Sequence, residues 1–62
     1  MIALCKKIPF RLGKPLGFVI DEKYVVSQIG HVFAFYEPKN GEYRITDVRL
    51  GYRQFKECFI MV

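Results

Sequence analysis

The chain has 62 residues, of which 52% are hydrophobic and 16% aromatic, and ten Lys and Arg outweigh six Asp and Glu to give a formal net charge of +4. So short a chain excludes a multidomain architecture, and it buries only about 60% of the surface that its unfolded form exposes. Two cysteines are too few for a disulfide framework, and no apolar run reaches the ~20 residues of a spanning helix.

A dense apolar core is the remaining way to stabilise so small a body, and the composition supplies one. Part of that apolar content must then lie on the surface, which favours contact with another molecule. Lys6, Lys7, Pro9 and Arg11 interrupt the N-terminal apolar run, so no secretory signal is expected. The expectation is a reduced, cytoplasmic protein that makes no membrane contact. Cys5 and Cys58 then serve as small apolar fillers rather than as a disulfide.

Gly and Pro divide the chain into short segments rich in Val, Ile, Phe and Tyr. In chain order IALCKKI (2–8), LGFVI (16–20), KYVVSQI (23–29), HVFAFYE (31–37) and EYRITDVRL (42–50) have strand-like composition. Turn signals at this spacing predict one all-β domain over residues 1–62. The expected form is a small antiparallel five-stranded barrel, OB-like or SH3-like. The last segment is ambiguous. Val48, Tyr52, Phe55, Phe59 and Val62 form a helical stripe, whereas CFIMV (58–62) is strand-like. A break at Gly51 allows either a short C-terminal helix from Tyr52 or a last strand from Lys56, and the strand is favoured.

The stretch HVFAFYEPKNGEYRITDV (31–48) is the most informative. With Pro38 at the second position of a turn and Gly41 in the left-handed position, a four-residue loop places Glu37 opposite Glu42. Alternation then assigns Val32, Ala34, Tyr36, Tyr43 and Ile45 to a core face, and His31, Phe33, Phe35, Arg44 and Thr46 to the other. A two-residue turn at Asn40-Gly41 would instead pair Glu37 with Arg44, which is electrostatically better. Phe33, Phe35 and Arg44 share a face in both registers. They are either core under the C-terminal segment or exposed platforms on which bases stack, with Arg44 neutralising phosphate. A protein contact also favours exposed aromatics and Arg.

The alternating aromatics of FAF (33–35) are similar to ribonucleoprotein-type stacking strands. FRLGKPLGFVI (10–20) followed by VFAFY (32–36) resembles the two nucleic-acid-binding strands of cold-shock domains, through Phe10, Lys14, Gly17-Phe18-Val19 and Val32-Phe33. Those domains are five-stranded OB-type barrels that bind single-stranded RNA and DNA. The resemblance implies that Lys14 contacts backbone while Phe18, Phe33 and Phe35 face bases. It covers under half of the chain, and Pro9, Leu16 and Phe35 stand where that family has Trp, an aromatic and His.

Catalysis finds no constellation. His31 is the only histidine and Ser27 the only serine, and GKPLG (13–17) lacks the spacing of a phosphate-cradling loop. No second His and no Cys-x-x-Cys complete a metal site, so neither metal nor cofactor is expected. Two readings of function remain. One is a single-stranded nucleic-acid-binding module using Lys14, Phe18, His31, Phe33, Phe35 and Arg44. The other is a compact protein-interaction or inhibitor protein, of the kind viruses and mobile elements encode against a host enzyme. Self-association as a homodimer through an edge strand or CFIMV is compatible with either.

Overall fold

A computed structural model describes every residue, Met1–Val62. The chain runs β1 (Ile2–Cys5), β2 (Phe10–Arg11), β3 (Lys14–Pro15), β4 (Lys23–Ile29), β5 (Val32–Lys39), β6 (Glu42–Gly51), α1 (Tyr52–Cys58) and β7 (Phe59–Met61). Five strands form one antiparallel sheet in the order β6-β5-β4-β1-β7, and β2 and β3 form a separate hairpin. Segment 16–20, expected as a strand, is irregular, and the short β2–β3 hairpin lies just before it. No ladder joins β6 to β7, so these are the free edges of an open sheet. The helix α1 connects one edge to the other.

Turn chemistry decides the β5–β6 register. Asn40 and Gly41 both have positive φ, 52° and 78°, the conformation for which Asn-Gly is the preferred two-residue hairpin turn. Lys39 therefore faces Glu42, Pro38 faces Tyr43 and Glu37 faces Arg44. The four-residue loop with Glu37 opposite Glu42 does not form. It would have set two carboxylates against each other, whereas the observed register opposes charges of unlike sign twice.

Farther along, the ladder slips between Ala34 and Tyr36, so that Tyr36 faces Ile45 but Ala34 faces Arg49. Residues 46–48 bulge out of β6. Thr46 organises the bulge: its hydroxyl donates to the Phe35 carbonyl at 2.9 Å and accepts the Val48 N–H at 3.1 Å. The Arg49 guanidinium donates to the carbonyls of Thr46 and Val48. A bulge of this kind also blunts an exposed edge strand.

The face assignment from alternation is inverted. Phe33 and Phe35 point into the core, whereas Val32, Tyr43 and Ile45 are exposed; Ala34 alone of the expected core set is fully buried. The reason is the C-terminal segment. Gly51 breaks it as expected, and both alternatives then occur in series, with α1 over Tyr52–Cys58 and a three-residue strand after it. Seven residues make too short a helix to persist alone. Packing holds it: Phe55 and Cys58 are buried, and Phe55 lies between Phe33 and Phe59 in a continuous ring stack, with centroids 3.8 Å and 5.2 Å away. The core consists of Ala3, Cys5, Val26, Phe33, Phe35, Leu50, Phe55, Cys58 and Phe59. Phe18 closes its other end, edge-on to Tyr24 and Phe59 and tilted against Phe35.

Between β1 and β4 the chain leaves the sheet to make the β2–β3 hairpin, which turns on Leu12 and Gly13 at φ 54° and 76°. Glycine takes that conformation freely, but a leucine there costs about 1–2 kcal/mol.

Candidate interaction surfaces

The sheet has two faces with different fates. Its inner face is covered by α1 and by the segment around Phe18, as described. Its outer face has no covering element. The registers place Ile2 opposite Val25, Val25 opposite Tyr36 and Tyr36 opposite Ile45, and Val62 bonds through its N–H to the Ile2 carbonyl at 3.1 Å. One row of apolar side chains thus crosses β1, β4, β5 and β6 and continues onto the residue that follows β7: Val62, Ile2, Val25, Tyr36, Ile45. Ile60 and Tyr43 flank it, and both are at least half exposed. Ile2, Val25, Tyr43 and Val62 line a shallow depression of about 390 Å³ on this face, with Lys23 at its rim. Elsewhere on the sheet, the Ser27 and Tyr36 hydroxyls of neighbouring strands lie 3.1 Å apart, within hydrogen-bond distance.

A second concavity, of about 470 Å³, opens beside α1 and β7. Phe33, Phe55 and Phe59 form its floor, and Tyr52 and Met61 stand at its mouth. Lys56 holds its ammonium 5.4 Å above the Tyr52 ring, a cation–π contact.

The six residues singled out from the sequence do not form one site. Phe33 and Phe35 are 5% and 2% exposed, so neither ring offers a face to a base. Phe18 is half-buried against the core. Phe33, Phe35 and Arg44 do share a face, as expected, but it is the core face, and Arg44 lies on it beyond the end of the core. Lys14, His31 and Arg44 are exposed and apart. His31 is in the β4–β5 turn, and Arg44 pairs five residues farther along β5 from Val32, about 17 Å away at ~3.3 Å per residue. Lys14 is on the separate hairpin.

Sequence reasoning missed two features. The outer row was partly readable as alternation in 23–29 and 32–36, but Tyr36 and Ile45, with Tyr43 beside them, were assigned to the core, and Ile2 and Val25 were given no face. Leu12 was not singled out, although Leu-Gly between Arg11 and Lys14 has the form of a two-residue hairpin turn. Charge is also uneven. Residues 1–20 hold Lys6, Lys7, Arg11 and Lys14 and no carboxylate, while residues 21–62 hold six cations and six carboxylates, so the whole +4 resides in the first third.

Both cysteines are free and buried. Burial pushes the Cys5 thiol above its ordinary value, against the lowering effect of a backbone hydrogen bond at Lys7. Burial likewise raises Cys58, with nearby Lys7 opposing. No group of three or more His, Cys, Asp or Glu could hold a metal ion, and no helix is long and apolar enough to cross a membrane.

No family model matches this sequence, and comparison with curated proteins and with solved structures finds no similar chain.

Proposed function

We propose that this chain is a small protein-interaction module, and that its binding face is the outer side of the five-stranded sheet. The observation that carries the reading is the uncovered row Val62–Ile2–Val25–Tyr36–Ile45 with Tyr43 beside it. An apolar centre with tyrosines and a thin charged rim is the composition of a protein interface. The strand order supports an SH3-like arrangement over an OB-like one, because the first strand lies between a three-stranded meander and the last strand. Fold alone does not assign a partner.

A second copy of the chain is too small an occupant. Four interstrand spacings of ~4.8 Å by about 17 Å of strand give about 320 Å² per side, or about 650 Å² for a symmetric pair. Stable interfaces bury about 1,200–2,000 Å². A larger protein can extend over the rim, so the partner is another protein, as an inhibitor or adaptor would have.

The test is affinity purification from nuclease-treated extract of the native source, with the wild type and with Ile45→Lys side by side. A stoichiometric protein retained by the first and lost from the second is expected. Identical profiles for the two would overturn the reading.

Nucleic-acid binding is the second reading, and the charge concentrated in residues 1–20 favours it. Without Phe33 and Phe35 as platforms, it would rest on phosphate contacts from residues such as Lys14 and would weaken steeply with salt. Fluorescence anisotropy with a labelled single-stranded oligonucleotide at rising salt tests it. Absence of binding at low salt rejects it.

A further inference from the structure

The tip of the β2–β3 hairpin carries a residue that the fold itself does not require. Leu12 is 96% exposed and has a left-handed backbone at φ 54°. Two other non-glycine residues share that conformation, Asp21 and Asn40, and both are types whose short polar side chains tolerate it. Leucine has no such compensation. Neither propensity nor packing accounts for it here, and strained positions of this kind gather at sites of function.

The hairpin is held firmly rather than loosely. Pro9 at its base is fully buried, and the Leu16 N–H donates to the Pro9 carbonyl at 2.9 Å. Gln54 of α1 donates from Nε2 to the Phe10 carbonyl at 2.9 Å. The Arg11 guanidinium donates to the Arg49 carbonyl of β6. An apolar tip on a fixed mount loses little freedom on binding, which favours affinity. The hairpin itself carries two cations, Arg11 and Lys14, and no carboxylate.

We propose that the β2–β3 hairpin is a docking prong for an acidic protein. Leu12 enters an apolar socket, and Arg11 and Lys14 on its flanks meet carboxylates at the socket rim. Nucleic acid fits less well. The tip leads with an aliphatic side chain, and the two cations beside it, Arg11 and Lys14, offer too few phosphate contacts to supply much affinity. The prong is separate from the sheet face, so each surface stands or falls without the other.

Leu12→Asn tests the inference twice, because it gives this turn the same dipeptide as the one at Asn40-Gly41. First, the change relieves strain and removes exposed apolar area, so the thermal midpoint should rise by on the order of 4 °C. An unchanged or lower midpoint would place Leu12 in the fold and overturn the proposal. Second, p-benzoyl-phenylalanine incorporated in place of Leu12 is irradiated in cells of the native source and its adducts are sequenced. The expected adduct is an acidic protein joined through an apolar residue. Unlabelled wild type should compete for it at least about tenfold better than Leu12→Asn does, or about 1.4 kcal/mol. Adducts with nucleic acid or a second copy, no adduct, or equal competition by the two chains would each overturn it.

Discussion

Phe33 and Phe55 lie face to face, their ring centroids 3.8 Å apart and their planes 5° from parallel. This contact fastens α1 to β5 and turns two aromatic strand residues into core. Phe55→Ala removes a side chain that is 2% exposed, at a cost of about 3–5 kcal/mol. A domain of this size has only about 3–9 kcal/mol in total. Near-UV circular dichroism and urea denaturation should show the variant largely unfolded at 25 °C or melting far below the wild type. Phe55→Leu, which keeps most of the apolar volume, should remain folded.

The sequence made much of this architecture legible, for reasons that particular residues show. Gly41 after Asn40 located a turn, Gly51 located the break before the C-terminal segment, and Val, Ile, Phe and Tyr composition marked β1, β4, β5 and β6. Direction of burial was not legible. Both sets of alternate residues in 32–36 are apolar, so period two cannot say which faces the core. That depended on whether residues 52–58 would fold back as a helix over Phe33, a tertiary event no local pattern encodes. The slip at Thr46 was hidden for a similar reason, since a bulge depends on a partner strand that sequence does not display.

Two glycines separate backbone effects from packing effects. A Cβ at Gly41 would meet nothing within 4 Å, yet φ there is 78°, so Gly41→Ala should cost about 1–2 kcal/mol through backbone strain alone. Gly51 precedes α1 with φ −67° and ψ 161° and makes no side-chain cap. Gly51→Ser supplies a hydroxyl for the helix N–H groups at a backbone angle it accepts, and should stabilise by about 0.5 kcal/mol. Opposite shifts in the urea midpoint would check both at once.

Thr46→Val preserves shape at the bulge while removing its hydroxyl. The Phe35 carbonyl and the Val48 N–H each lose a partner, at a cost of about 1–3 kcal/mol for groups left unsatisfied. Hydrogen exchange at Val48 should accelerate in the variant, while amides of the β1–β4 ladder exchange at rates set by global stability. Equal acceleration everywhere beyond the global change would argue against a local role for Thr46.

The buried thiols predict a one-sided pH dependence. Both Cys5 and Cys58 have folded values raised above 9.0, first of all by burial. An unfolded chain therefore loses these protons before the native one does. Their contribution to stability is complete below about pH 9 and is lost as pH rises through the folded values. The urea midpoint should decline above pH 9 more in the wild type than in Cys5→Ala/Cys58→Ala. A disulfide-exchange reagent at pH 8 should label the native protein slowly and the urea-unfolded protein at once.

The pairing of β1 with β7 has a mechanical consequence. Ala3 faces Met61, Cys5 faces Phe59, and the Val62 N–H reaches the Ile2 carbonyl at 3.1 Å, so both ends of the chain leave the sheet at the same corner. Hydrogen bonds in an antiparallel ladder run across the strands. Tension applied between Met1 and Val62 would load them one after another rather than together. The domain is thus built to unzip under a weak pull on its ends, while a load shared across the width of the sheet would meet every rung at once.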